Sequence, residues 1–194
     1  MNKTLRNTIA RALHLRRFER TDDGRIYMPD SKLFVGGSFR SDVNGDDVRL
    51  MNNLFTAEGL TYVLGTSFQA AAQITAFYLA PFSGDITPDG TLTGANFALR
   101  QTEFTNYNEA TRVAWAPPTA AITTPEIDNS AAPATFTNNL ANATVWGFAL
   151  MSSQVKRDTT GKCIACFIDS TPRDNLRVGD KINLQYSITA TDAG

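Results

Sequence analysis

At 194 residues, with 42% hydrophobic and 19% charged side chains, the chain is long enough for one folded domain, with or without an arm, and short for two. A net charge of −1 excludes a uniformly basic nucleic-acid-binding body, and two cysteines exclude a disulfide-dense scaffold. No apolar run reaches the roughly 20 residues a helix needs to cross a bilayer. The N-terminus lacks the apolar stretch and small-residue cleavage site of a secretory signal, so cytoplasmic synthesis and assembly are expected.

Residues 1–20 stand apart as a basic arm. Lys3, Arg6, Arg11, Arg16, Arg17 and Arg20 oppose Glu19, a local balance of +5 that leaves −6 for the single β-rich domain expected over residues 21–194. Leu5, Ile9 and Leu13 recur every fourth residue, with Ala12 beside them. That spacing predicts a narrow apolar stripe on an amphipathic helix. The basic residues together with Leu5, Ile9 and Leu13 are the candidate partner-binding set. Such an arm can dock on a neighbouring subunit, pair its arginines with carboxylates of an acidic protein surface, or contact phosphates. Nucleic acid is the least supported of the three, because Phe18 is the only aromatic residue in the arm and the chain as a whole is not basic. His14, the one histidine, lies among basic residues, away from the carboxylates a catalytic or metal site would require.

Asp22-Asp23-Gly24 reads as a turn before a short strand at residues 25–28 that Pro29 stops. A further short strand is expected around Leu33, Phe34 and Val35, broken or bulged at Gly36-Gly37. Asn44-Gly45 signals a hairpin, and residues 48–54 are then its returning strand or the approach to the helix. Asp42, Asn44, Asp46 and Asp47 suggest a calcium loop, but the sixth and twelfth positions counted from Asp42 are Asp47 and Asn53 where an EF-hand needs Gly and Glu.

Thr56 is placed to cap a helix over residues 57–68, with Glu58 at the favourable end of its dipole. Leu60, Val63, Leu64 and Phe68 recur at helical spacing and are expected to face the core. The uncharged run 74–79 then reads as a buried strand. Residues 83–90 form a turn-rich connection without the second glycine and Lys-Ser/Thr of a phosphate loop. Residues 95–99 suit a short helical or irregular segment.

Residues 111–115 alternate as a strand, with Val113 and Trp115 on one face and Arg112 on the other. Residues 119–134 read mostly as loop. Strands follow at 134–137, 143–151, 162–168 and 184–191, and the near-continuous apolar run 145–151 predicts a strand packed on both faces. Cys163 and Cys166 lie in a strand-like run whose odd spacing directs their sulfurs to opposite faces. With no second Cys or His pair, they read as buried structural thiols rather than a zinc or redox site.

The resulting fold class is mainly β: an antiparallel β-sandwich, of which a jelly roll is one form, with one central helix and the N-terminal basic arm. Phe77, Trp115, Trp146, Phe148, Phe167 and Tyr186 are the expected core.

Four segments, at residues 58–68, 77–88, 103–117 and 179–194, carry the patterns EGLxYxLxxxF, FYLAPFSGxxTP, EFTxYxxATRxAWxP and GDKxxLxYxITATDAG. In their order and spacing they resemble a family of small structural proteins of tailed bacteriophages. The resemblance implies a virion component assembled in the host cytoplasm, a homo-oligomer partnered by major capsid or neck proteins, with no catalytic, cofactor or metal residues to carry over and no membrane. Capsid decoration is the leading role. A neck or fibre-attachment protein, or a carbohydrate- or receptor-binding β-sandwich, are the alternatives. In that setting the glycosylation sequon at Asn142 carries no meaning.

Overall fold

The computed structural model describes the backbone of residues 19–20, 26–27 and 33–192, with side chains over 35–190. The chain divides into a terminal unit, Met1–Phe34 with Ala190–Gly194, and a larger one, Val35–Thr189. In the first, β1 (Glu19–Arg20) pairs antiparallel with β2 (Ile26–Tyr27), on the strand expected before Pro29.

The larger unit is an antiparallel β-sandwich. One sheet runs β5-β11-β10-β6-β7, from strands Leu54–Phe55, Cys163–Leu176, Ala143–Met151, Phe77–Phe82 and Val113–Trp115. The other runs β4-β3-β12-β8, from Asp46–Asn52, Leu33–Val43, Lys181–Asp192 and Glu126–Asp128. Strand β9 (Ala134–Thr137) also pairs with β12. Apolar residues from both sheets meet in one core, with Phe39 stacked on Tyr186 at 4.1 Å and beside Phe167 at 4.4 Å. The Trp115 indole N–H donates to the Tyr186 carbonyl at 2.9 Å, so the largest aromatic residue of β7 is satisfied while buried.

The sheet containing β10 is covered on its other face as well. Ala80, Phe82, Ala149, Met151, Cys163 and Cys166 pack with Leu92 and Phe97 in a second cluster beneath α2, Gly94–Arg100. Residues of β10 therefore alternate between two dry clusters, which accounts for the unbroken apolar run. All six expected core residues lie in these clusters or against them, Phe77 and Trp146 being partly exposed. Two helices are described rather than one central helix. The first, α1 (Ala57–Phe68), flanks the sandwich.

Three local expectations are corrected. Gly36-Gly37 does not break β3; a Cβ on Gly37 would lie 2.1 Å from the Ser187 carbonyl oxygen, so glycine permits close approach of β12. The buried strand begins at Phe77 rather than residue 74. Cys163 and Cys166 face the same cluster, because the pairing moves from Leu150 with Ala165 to Met151 with Cys163, and the intervening Ile164 forms a bulge. The hairpin stands as expected, with Asn44 and Gly45 both at positive φ, 55° and 89°.

Candidate functional site

The seat of α1 determines what the protein presents to solvent. Thr56 caps the helix by accepting from the Gly59 N–H at 2.9 Å, while its own hydroxyl donates to the Cys163 carbonyl. Glu58 accepts from the N–H groups of Gly94 and Cys163, each at 2.8 Å, tying both helices to β11. Gly59 is the helix residue nearest the sheet, and a Cβ there would lie 2.1 Å from the Ile164 carbonyl oxygen. Tyr62 and Val63 complete the inward face. The Tyr62 ring meets Phe77 edge-on at 5.9 Å, and its hydroxyl accepts from the Ile74 N–H.

This seating keeps Val63 of the expected stripe on the core but turns Leu60, Leu64 and Phe68 outward, against the expectation that they face it. Leu60 is 42% exposed, Leu64 58% and Phe68 78%. Residues 69–73, Gln-Ala-Ala-Ala-Gln, continue the exposed surface beyond the helix. No charged residue occurs between Glu58 and Asp85, and the last turn of α1 carries no basic side chain. An apolar stripe in an uncharged surround is the composition of a contact surface rather than of a solvated helix face.

The polar groups of the interior are mostly committed to one another. Arg112, immediately before β7, is fully buried and forks onto Glu103 with two hydrogen bonds of 2.8 Å. It also donates to the Ser153 carbonyl, and Glu103 accepts from the Arg157 N–H. The expected strand at 111–115 is realised over Val113–Trp115, and the Arg112 guanidinium sits 5.9 Å from the centre of the Phe97 ring of α2. Nothing in the spacing of Glu103 and Arg112 announces the pair. Burial pushes both cysteine thiols well above their ordinary range, so neither is a ready nucleophile.

A groove of about 650 Å³ separates β4 from β11, lined by Arg49, Leu50, Met51, Asn52, Ile168 and Asp169 among others. Arg49 spans it, bonded to Asp47 at 2.7 Å and Asp169 at 2.9 Å, and Arg173 also reaches Asp47. The Arg49 hydrogen bond holds the Asp47 carboxyl below its usual range. Among the described residues no group of three or more His, Cys, Asp or Glu side chains is placed to hold a metal ion. Asp42, from the calcium-like segment, instead accepts from the Gly45 N–H and the Asn183 amide, both at 2.8 Å.

The candidate partner residues Lys3, Leu5, Arg6, Ile9, Arg11, Leu13, Arg16 and Arg17 lie outside the described residues, as does His14. Arg20 is described only through its backbone in β1. No family model matches the chain, and neither a curated protein nor a solved structure matches it significantly.

Proposed function

We propose that the protein is a non-enzymatic structural component of a tailed-bacteriophage virion, a capsid decoration protein that forms homo-oligomers and grips neighbouring capsid subunits. The observation that carries the reading is the outward stripe of Leu60, Leu64 and Phe68 in a stretch without charge. The exposed parts of these three side chains add nothing to the stability of the free monomer. Their burial against a partner would each contribute on the order of 1 kcal/mol or more. The +5 arm supplies the second contact, complementary to a body of −6.

A carbohydrate-binding surface would draw on clustered exposed aromatic rings. Among the exposed large apolar residues described, Phe68 is the one aromatic. That weighs toward a protein partner.

The test is deletion of residues 1–20 followed by measurement of incorporation into particles. The truncated protein is expected to fold and to be lost from particles, with the electrostatic share of binding weakening as salt shortens the screening length below about 8 Å. Full occupancy by the truncated protein would remove the arm from the function. Loss of DNA binding as the only defect would make the arm a nucleic-acid contact instead.

A further inference from the structure

We propose that the stripe on α1 seats the N-terminal segment of a neighbouring copy, with Leu5, Ile9 and Leu13 packed along Leu60, Leu64 and Phe68, so that copies are joined arm to body. The inference rests on the arm-binding reading above and names the surface that receives the arm.

Three features of the two segments point to this occupant. The first is repeat and length. Each set recurs at i, i+4 and i+8, and were residues 5–13 helical, as their spacing predicts, eight residues would rise about 12 Å, so the two stripes match in length. The second is polarity. Several of the arm's basic residues, Lys3 and Arg11 among them, fall off its stripe at helical spacing, and α1 has no charge from Gly59 onward. Apolar contact therefore strands no lysine or arginine against a like charge and desolvates no carboxylate.

The third is direction. The final turn of α1 has no basic residue to complement the negative end of its dipole. A parallel alignment, Leu5 beside Leu60 and Leu13 beside Phe68, carries Arg16 and Arg17 past that end, where cations are favoured. A neighbouring copy is the natural donor because each copy would carry both the arm and its seat, and head-to-tail contacts of that kind close into rings where the rotation between copies closes.

The test co-expresses two full-length variants, Ile9→Cys and Leu64→Cys, and follows disulfide formation on a non-reducing gel and by mass. The native cysteines are buried and contribute little background. A species of twice the chain mass, containing one copy of each variant, is expected about tenfold above a control pairing Ile9→Cys with exposed Val178→Cys. Leu13→Cys should then link to Phe68→Cys in preference to Leu60→Cys. The double variant Ile9→Cys/Leu64→Cys linking only within one chain would overturn the assignment to a neighbour. Leu64→Cys linking mainly to itself would give the stripe to a second α1 instead, and no linkage above control would leave the arm a different seat. These failures are separable from failure of the arm-binding reading, because particle occupancy after deletion of residues 1–20 is measured independently.

Discussion

Leu64→Asp separates a helix that buries its apolar stripe from one that displays it. Were Leu64 in the core, an unpaired carboxylate there would cost several kcal/mol and prevent folding. In the structure Leu64 is 58% exposed. Full burial of leucine is worth about 1.5–3 kcal/mol, so losing the buried two-fifths costs about 0.6–1.2 kcal/mol. Lower helix propensity adds about 0.5 kcal/mol.

The sum, about 1.1–1.7 kcal/mol, is survivable for a domain stable by roughly 5–15 kcal/mol. Gly59→Ala supplies the contrast. It adds only a methyl group and improves helix propensity, yet that methyl would lie 2.1 Å from the Ile164 carbonyl oxygen and force α1 off β11. Urea titration should show Leu64→Asp folding cooperatively with a modestly lowered midpoint, Gly59→Ala lowered further, and Leu64→Asp deficient in particle incorporation. An unfolded Leu64→Asp protein beside a fully stable Gly59→Ala protein would refute the orientation of the helix.

Glu103→Gln should destabilise the protein by about 3–5 kcal/mol, since it leaves Arg112 charged and buried; Glu103→Met/Arg112→Met should recover part of this loss, and an unchanged denaturation midpoint for Glu103→Gln would contradict the ion pair. Cys163 and Cys166 should resist alkylation in the native protein and react together on unfolding; rapid native labelling, or stoichiometric zinc, would count against buried structural thiols. Acid should also weaken the fold. Asp180, which accepts from the Arg177 N–H and the Asn44 amide, and Asp47, held by Arg49, both have carboxyls depressed below about 3.8. Their contribution is present above that value and is lost as pH falls through their lower folded values. A denaturation midpoint unchanged from pH 5 to pH 2 would contradict this.

Where one local signal dominated, the sequence was a good guide. Strands β9 and β10 have the expected bounds, the Asn44-Gly45 turn closes its hairpin, and Thr56 caps the expected helix. What escaped it depended on backbone approach. The periodicity of Leu60, Leu64 and Phe68 says that they share a face but not which way the face points. Gly59 decides that, because the missing side chain lets a different face sit on β11. Likewise one extra residue at Ile164 brings two cysteines to one side. The Glu103–Arg112 pair joins residues across the fold of one segment, and no local pattern encodes it. For the arm, the composition gives charge and stripe but not the seat.

The central claim, a virion structural role on the capsid, is tested most directly by counting copies of the protein in purified particles by quantitative mass spectrometry against the major capsid protein. Capsid decoration predicts hundreds of copies in a fixed ratio to that protein. About a dozen copies would move the protein to the neck, and its absence from purified particles would contradict the account.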